Sequence, residues 1–420
     1  MARFARLADW LVWLEGLHPK SIELGLERIG EVWARLGEPR LADRVVTVAG
    51  TNGKGSSVAM LDAILSAAGH KVGRFTSPHL LRFTERVVIN GREVDEVAYC
   101  AALGRVDAAR RDISLSYFEF TALAAFLCFA DAGLDVALLE VGLGGRLDAV
   151  NVIDADIALI TAIALDHQEW LGDDRELIGR EKAGIMRPGV VTVCADPDPP
   201  VSIGQYAHAI GASLRQLGAD FHYQEGDGSW DWRSGDGDLD ALPLPALPGR
   251  FQLDNAAGVL AAVRALDPSI PRAAIENGLR EVRWPGRWQL VGEHPQVVLD
   301  VAHNPHSAGG LASLLAADPM PRTLAVFGML RTKDVAGVLG AVAAHVDAWY
   351  LAGLPPPLGL AVSELRAHLD TFGVVGSVAN CDNVADALQA ARAAAGPEDR
   401  IVVFGSFVTV EHAMRALQAS

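Results

Sequence analysis

A glycine-rich segment near the start of the chain has the composition of a phosphate-binding loop. It reads GTNGKGS from Gly50, follows a short apolar run at residues 44–48 that predicts a buried strand, and precedes a helical pattern at residues 56–68. Glycines let backbone N–H groups approach phosphate oxygens, and a helix N-terminus adds a partial positive charge. Lys54 adds a full positive charge there. This order of strand, loop and helix therefore predicts a site for the phosphates of a mononucleotide.

The loop departs from the common GxxxxGK[ST] pattern at two positions. Val48 stands where the first glycine belongs, and Gly55 separates Lys54 from Ser56. A simple turn would account for the glycines, but not for a lysine between them at the end of a buried strand. We therefore favour the phosphate-binding interpretation.

Other predicted strands end in polar residues. Glu140 closes a strand predicted at residues 136–141, His167 follows one at residues 157–163, and Ser77 follows one at residues 71–75. Because carboxyl ends of parallel strands share one edge of a sheet, these groups could face one ligand, such as a divalent cation beside phosphates. Taken singly, each also fits a structural role: a capping acid, a core histidine or a turn. Glu181-Lys182 alone fits a solvated surface pair.

The elements that must position these residues indicate an α/β protein with two domains, as its 420 residues also suggest. The first is predicted to contain a parallel sheet that carries the phosphate loop, decorated by loops and short antiparallel strands at residues 226–249. Five more strands, at residues 297–301, 323–327, 348–351, 373–378 and 401–404, predict a smaller Rossmann-like, doubly wound C-terminal domain. We place the domains at residues 1–285 and 296–420 and a linker at 286–295, with a cleft between them.

Composition restricts the partners and the compartment. A formal net charge of −16 argues against nucleic acid, whose phosphates need a basic surface. No apolar run is long enough to cross a bilayer, and the N-terminal segment reads as an amphipathic helix instead of a signal peptide. The four cysteines lie far apart, as expected of buried thiols in a reducing compartment. We expect a cytoplasmic monomer with no membrane or nucleic-acid partner.

Taken together, the segments resemble the folylpolyglutamate synthase family, and most closely its bacterial bifunctional dihydrofolate synthase/folylpolyglutamate synthase members. The resemblance runs through nearly the whole chain and is carried, in order, by VAGTNGKGSS, TSPHL, LEVGLGGRLDAVN, IALDHQEWLG, GREKAGI, WPGRWQ and DVAHNPH. The family belongs with the Mur ligases, which share the phosphate loop and a two-domain cleft. The resemblance therefore implies a Mur-ligase-like P-loop ATPase domain followed by a smaller Rossmann-like domain. One departure is Val150, which stands where the family has threonine.

The resemblance implies three sets of site residues. The ATP triphosphate cradle and further nucleotide contacts would be Thr51, Asn52, Gly53, Lys54, Gly55, Ser56, Asn255, Arg287 and Asp300. The Mg²⁺ ligands would be Ser77, Glu140, His167 and Lys182, the last as a carbamate that supplies anionic oxygen. The pteroate pocket would be formed by Glu23, Leu24, Gly25, Leu26, Ser116, Tyr117, Phe118, Glu119, Leu147, Asp148 and Ala149.

The resemblance also implies an ATP-dependent amide ligase that acts on dihydropteroate and on reduced folates. Its carboxylate substrate would attack the γ-phosphate of ATP, and the α-amine of L-glutamate would displace phosphate from the acyl phosphate. Lys54, Lys182 and His303 would be catalytic, with His303 and Asn304 orienting glutamate or the intermediate.

Two alternatives remain at this point. A Mur-type ligase for a cell-wall precursor would share the ATP chemistry, but it usually carries an N-terminal nucleotide-binding domain, for which the phosphate loop at Gly50 leaves no room. A nucleotide-gated regulatory protein would have no amide-forming step. ADP release that depends on both an acceptor carboxylate and glutamate would separate these alternatives.

Overall fold

The computed structural model describes residues 3–20 and 22–419, which form two compact units. The first unit contains the chain up to Ile163 together with Glu169–Ala246 and Gln252–Val282. The second contains Ala164–Gln168, Leu247–Phe251 and the chain from Arg283 onward. The short segment Ala164–Gln168 therefore groups with the second unit, although its neighbours in the sequence belong to the first.

The first unit is built on an eight-stranded sheet with the order β4-β3-β2-β5-β1-β6-β7-β8. Its strands are β1 (Ala42–Ala49), β2 (Val72–Phe75), β3 (Val87–Ile89), β4 (Arg92–Glu93), β5 (Leu134–Glu140), β6 (Ile157–Ile160), β7 (Val191–Cys194) and β8 (Ser213–Gln216). Neighbouring strands run parallel from β2 to β8, whereas β3 and β4 extend the sheet in antiparallel fashion. Val48 of β1 pairs with Glu140 of β5, so the phosphate loop and this carboxylate leave the same edge.

Ten helices of the described chain begin before residue 283. They are α1 (Leu7–Glu15), α2 (Glu27–Arg35), α3 (Lys54–Ala67), α4 (Glu96–Arg110), α5 (Tyr117–Ala132), α6 (Gln168–Leu171), α7 (Arg175–Ala183), α8 (Val201–Ile210), α9 (Arg250–Leu266) and α10 (Arg272–Glu281). α5 is buried along most of its length, which explains its run of aromatic and small residues. α3 packs closely on α10, because a Cβ on Gly278 would lie 2.5 Å from Ile64 Cγ1.

A smaller antiparallel sheet completes the first unit and confirms the predicted short strands. It consists of β9 (Phe221–Glu225), β10 (Ser229–Ser234) and β11 (Leu239–Pro243), with β10 in the centre. Trp230 and Trp232 are fully buried, and their indole N–H groups donate to the carbonyl oxygens of Pro243 and Ala257 at 2.9 and 3.2 Å. These bonds satisfy the polar end of each large apolar side chain.

The second unit contains a six-stranded sheet with the order β12-β13-β17-β14-β15-β16. Its strands are β12 (Gln289–Glu293), β13 (Gln296–Leu299), β14 (Thr323–Phe327), β15 (Ala348–Ala352), β16 (Ser377–Cys381) and β17 (Arg400–Phe404). Its helices are α11 (Pro305–Ala317), α12 (Val335–Val342), α13 (Val362–Phe372), α14 (Val384–Ala394) and α15 (Phe407–Ala419). All strand pairs are parallel except β12 with β13, as expected of a Rossmann-like sheet with an added edge strand.

The α/β fold class is confirmed, while several boundaries differ from prediction. The strand predicted at residues 373–378 is wrong at its start, because Gly373 caps α13 with a φ of 76° and β16 begins at Ser377. Part of the expected linker at 286–295 forms β12, whose irregular and largely exposed pattern gives a weak strand signal. No helix among the described residues combines the length and apolar character needed to cross a bilayer.

Candidate active site

The phosphate loop is held at the ends of two parallel strands. Residues 50–53 join β1 to α3, and the N–H groups of Thr51 and Asn52 donate to the Ala162 carbonyl oxygen at 2.8 and 3.3 Å. Gly53 forms the N-cap of α3 with a φ of 97°, and Lys54 is the first helical residue. Hydrogen bonds to the segment that follows β6 therefore help to define the shape of the loop.

The helix begins two residues earlier than the sequence pattern predicts. Its first main-chain bond of the i to i−4 type runs from Ser57 N–H to the Gly53 carbonyl oxygen at 2.9 Å. The N–H groups of Gly55 and Ser56 consequently lie in the first turn, where the partial positive charge of the helix is concentrated. The anion-binding end of α3 thus coincides with the GKGS segment and does not follow it.

Two glycines of the loop are required by close contacts. A Cβ on Gly50 would lie 1.8 Å from Thr161 Oγ1, and one on Gly53 would lie 2.4 Å from Asn255 Oδ1. Both residues also have positive φ angles, of 151° and 97°, which disfavour other residues. The contact with Gly53 places the predicted nucleotide residue Asn255 directly against the phosphate loop.

Asn255 is held in this position by a buried chain of side-chain hydrogen bonds. Its Nδ2 donates to Gln252 Oε1 at 3.0 Å, and Gln252 Nε2 donates to Ser56 Oγ at 3.3 Å. All three residues are buried. The side chain of Ser56 therefore has a structural partner on α9.

Two lysines converge on the carbonyl oxygen of Gly50. Lys54 Nζ donates to it at 3.0 Å and Lys182 Nζ at 2.9 Å, while Lys54 also reaches the Thr51 carbonyl oxygen at 3.2 Å. Lys182, on α7, is only 3% exposed. Two ammonium groups beside one loop give it a local positive charge, which suits an anionic ligand.

Ser77 and Glu140, two of the predicted metal ligands, are in contact. Glu140 ends β5 and is 5% exposed, and its Oε2 accepts a hydrogen bond from the Ser77 N–H at 3.1 Å. Arg86 lies close by and has no counterpart among the predicted site residues; its Nε donates to His79 Nδ1 at 2.8 Å. Burial lowers the pKa of Arg86, although electrostatic interactions with Tyr117, Tyr99 and Glu140 act to raise it.

His167 belongs to the segment that groups with the second unit. Its Nε2 lies 3.4 Å from Lys333 Nζ, and because an ammonium only donates, this ring nitrogen presents its lone pair. His167 has a φ of 51°, and its N–H donates to its neighbour Asp166 at 2.8 Å. The main chain of His167 is therefore hydrogen-bonded to Asp166, and its ring lies beside Lys333.

The predicted metal ligands fit a divalent cation in chemical type. A carboxylate and a hydroxyl are hard oxygen ligands, and a neutral imidazole is a common nitrogen ligand. Lys182 fits only after conversion to a carbamate, because an ammonium has no lone pair to offer. Within the described residues there is no group of three or more His, Cys, Asp or Glu that could hold a metal.

Asp166 is the centre of a buried polar cluster in the second unit. Its Oδ1 pairs with Lys333 Nζ at 2.5 Å, and its Oδ2 accepts from Asn304 Nδ2 at 3.0 Å and lies 3.4 Å from His303 Nε2. Burial opposes its ionisation, but the hydrogen bond of His303 and the charges of Lys333 and His303 hold the Asp166 pKa well below its usual range. The predicted catalytic residue His303 therefore belongs to this cluster.

Arg287 and Asp300, the two residues of the second unit that are predicted to bind the nucleotide, lie just before β12 and just after β13. Asp300 is 8% exposed, and its two carboxylate oxygens accept from the N–H groups of Trp288 and Ala302 at 2.9 and 2.8 Å. Burial raises the pKa of Asp300, although the positive charge of Arg287 and these hydrogen bonds act to lower it. The Arg287 guanidinium lies 5.4 Å from the ring centroid of Phe407, within the range of a cation–π contact.

The three segments predicted for the pteroate pocket are joined in the first unit. Gly25 N–H donates to the Leu147 carbonyl oxygen at 3.1 Å, and Arg28 links Glu23 to Glu119. Ser116 and Glu119 form a capping box at the start of α5, with Ser116 N–H donating to Glu119 Oε2 at 2.7 Å. The remaining members, Leu24, Leu26, Tyr117, Phe118 and Leu147, are partly exposed, whereas Ala149 is buried.

Two carboxylates of this pocket are committed to the protein framework. Glu119 is 3% exposed and holds the helix cap, while Asp148 is 2% exposed and accepts from the N–H groups of Leu143 and Val150 at 2.8 and 3.0 Å. Burial raises the pKa of Asp148 to about 6, although backbone hydrogen bonds and Lys54 oppose the shift. Both side chains are therefore engaged in hydrogen bonds within the protein.

Two protein-family matches define the class of protein to which this chain belongs. Residues 48–263 match the Mur ligase middle domain, and residues 286–407 match the glutamate ligase domain of Mur ligases. A parallel sheet with a phosphate loop, followed by a Rossmann-like unit, is thus the architecture of a Mur-type ligase.

Individual relatives narrow the class to one family. The chain is 48% identical over 414 residues to the dihydrofolate synthase/folylpolyglutamate synthase of Escherichia coli strain K12, covering 98% of this chain and 96% of the relative. It is 37% identical over 427 residues to the Haemophilus influenzae protein of the same name, covering 96% of each. The chain belongs to the dihydrofolate synthase/folylpolyglutamate synthase family. The resemblance inferred from the motifs, and with it an ATP-dependent ligase, is confirmed.

Solved structures agree with this assignment. The chain superimposes on E. coli FolC in complex with DHPP and ADP with a TM-score of 0.95 and 47% identity, covering 100% of this chain and 99% of the other. A bifunctional folylpolyglutamate synthase/dihydrofolate synthase with Mn, AMPPNP and L-glutamate bound gives a TM-score of 0.93 and 45% identity, covering 100% of both.

Proposed function

We propose that this chain uses ATP to join L-glutamate to dihydropteroate and, in a second activity, to reduced folates. The observation that carries the proposal is the convergence of Lys54 and Lys182 on the phosphate loop at the N-terminus of α3. The identity to relatives with this double name, and the Mn, AMPPNP and L-glutamate bound in one similar structure, support the choice of substrates.

The reaction needs ATP because an ionised carboxylate is a poor electrophile. A carboxylate oxygen of the acceptor attacks the γ-phosphorus of ATP, and the bond to the bridging oxygen breaks to release ADP. The neutral α-amine of L-glutamate then attacks the carbonyl carbon of the acyl phosphate. Inorganic phosphate leaves with the bonding electrons, and the nitrogen loses a proton to give the amide. Both steps depend on alignment and on stabilising negative charge.

Lys54 and the first turn of α3 would hold the triphosphate. The ammonium would offset charge on the transferring phosphoryl group. The N–H groups of Gly55 and Ser56, in the first turn of α3, would donate to phosphate oxygens. Thr51, Asn52 and Gly53 would shape the cradle, as Asn255 does by its contact with Gly53. The roles of Arg287 and Asp300 as nucleotide contacts stay predictions.

Ser77, Glu140, His167 and a carbamylated Lys182 would hold Mg²⁺. When bound, the cation offsets phosphate charge and orients the γ-phosphate for attack. Carbamylation joins the Lys182 amine to carbon dioxide with loss of a proton, and its support here is the low exposure of that amine beside Gly50. His303 would orient glutamate or the intermediate, with Asp166 holding the ring.

The remaining proposals concern the setting of the enzyme. A cytoplasmic location is supported by the four cysteines, all of which are free thiols and three of which are buried. The net charge of −16 supports the absence of a nucleic-acid partner. A monomer without membrane contact, and domains at residues 1–285 and 296–420 with a linker at 286–295, stay predictions.

Purified protein with ATP, Mg²⁺ and L-glutamate, offered dihydropteroate or a reduced folate in turn, tests the proposal. We expect ADP release to require both acceptor and glutamate, with the amide product detected by mass spectrometry in each case. Product from only one of the two acceptors would show that the chain has a single ligase activity and would contradict the proposed second one. Steady ADP release without an acceptor would contradict a ligase and favour a nucleotide-gated protein.

A further inference from the structure

Arg28, in the first turn of α2, contacts two of the three predicted pocket segments. Its Nη2 donates to the Glu23 carbonyl oxygen at 3.0 Å and to Glu119 Oε1 at 3.1 Å, while its Nη1 lies 3.3 Å from Glu23 Oε1. Arg28 and Glu119 are 91 residues apart in the sequence. One guanidinium therefore joins a surface loop to the start of a buried helix.

The same loop is held from its other side by His18. Its Nε2 lies 2.6 Å from Glu23 Oε2, and its Nδ1 lies 2.8 Å from the Ser114 hydroxyl, just before α5. Lys20 Nζ lies 3.4 Å from Glu23 Oε1. The hydrogen bond with His18, together with Arg28 and Lys20, lowers the pKa of Glu23 despite partial desolvation. Glu23 is thus an ionised anchor between two groups of donors.

The third pocket segment reaches the loop through the backbone. Gly25 N–H donates to the Leu147 carbonyl oxygen, and Gly25 has a φ of 155° that few other residues adopt. A Cβ at this position would lie 3.0 Å from Glu27 Oε2. The loop is therefore fixed at Glu23 by side chains and at Gly25 by a main-chain bond.

We propose that Arg28 is a positioning residue that fixes the loop from Glu23 to Leu26 against the start of α5 and so controls binding of the pteroate-type acceptor. The inference rests on the proposed function, because the acceptor is the ligand whose site the loop forms. Arginine suits this role, since its planar fork can hold a carbonyl oxygen and two carboxylates at once. A lysine would keep the charge but make fewer of these contacts.

The test compares steady-state kinetics of the full-length chain and three variants, with dihydropteroate, ATP and L-glutamate varied in turn. Arg28→Met removes the fork, Arg28→Lys keeps its charge, and Arg35→Met is the matched control. Arg35 lies on the same helix but pairs with Glu31 and with carbonyl groups near the end of α4. Thermal unfolding of each variant shows whether it is folded.

We expect Arg28→Met to raise the KM for dihydropteroate by about tenfold, with kcat and the KM for ATP within about twofold of the wild type. Arg28→Lys should show an intermediate KM, and Arg35→Met an unchanged one. If Arg28→Met is poorly folded, Glu23→Gln replaces it, because it removes the charge that the guanidinium contacts and should raise the same KM.

Failure of this inference differs from failure of the proposed function. A wild-type chain that forms no product from dihydropteroate would overturn both the function and the role of Arg28. An active wild type with an unchanged dihydropteroate KM in folded Arg28→Met would overturn the positioning role alone. Equal losses with all three substrates in Arg28→Met would also overturn it, by indicating general destabilisation.

Discussion

Lys333 and Asp166 form a buried ion pair, with 2.5 Å between Nζ and Oδ1 and 8% exposure of each side chain. The pair contacts His303 and His167 and so lies at the centre of the polar cluster in the second unit. Breaking a buried pair leaves one charge without its partner, which costs much more than losing a surface pair.

Lys333→Met should therefore lower the free energy of unfolding by about 3–5 kcal/mol, measured by denaturant titration. Arg331→Met is the control, since this neighbour is exposed and pairs with Glu364 at the surface; it should cost under about 1 kcal/mol. Adding Asp166→Asn to Lys333→Met should cost less than the sum of the single changes. Strict additivity would show that the pair is not an energetic unit.

Lys182→Ala should abolish turnover, because it removes both the buried amine and any carbamate formed on it. If the carbamate supplies a ligand oxygen, then short carboxylates such as formate or acetate should restore part of the activity in a concentration-dependent way. Lys54→Ala serves as the comparison, since its loss removes phosphate binding and should not respond to carboxylates. Equal responses of the two variants, or no response of Lys182→Ala, would count against a carbamate.

The raised pKa of Asp148 predicts a pH dependence of stability. Its folded pKa of about 6 lies above the ordinary value of 3.8, so folding favours the protonated form. This contribution is fully present below about pH 4 and is lost as the pH rises through about 6, by up to roughly 3 kcal/mol.

Asp148→Asn should remove that slope from the difference in unfolding free energy between pH 4 and pH 7. Asp154→Asn is the control, because that carboxylate is exposed and pairs with Arg187. A wild-type slope that persists in Asp148→Asn would contradict the assignment to this group.

The sequence predicted the parts of the site whose signal is local. The order of strand, loop and helix around GTNGKGS was predicted correctly, because these elements are adjacent in the chain. The start of α3 was predicted two residues late, since Lys54 and Gly55 resemble loop residues until the cap at Gly53 is known. β12 was missed because its outward face is exposed and its pattern is irregular.

Residues that act through contacts distant in sequence could not be found in this way. Arg28 meets Glu119 across 91 residues, and Lys333 meets Asp166 across 167. Arg86 has no distinguishing signal in the sequence, yet its guanidinium packs against the rings of Phe83 and Tyr117. Only the folded sheet and helices bring these partners together.

The proposed acyl-phosphate chemistry can be tested by following oxygen. Dihydropteroate labelled with ¹⁸O in its carboxylate would be converted with ATP and L-glutamate, and the released inorganic phosphate analysed by mass spectrometry. The proposed mechanism predicts one ¹⁸O atom in each phosphate, because the attacking carboxylate oxygen leaves with phosphorus when the amide forms. Phosphate without ¹⁸O, released alongside the amide product, would contradict the mechanism.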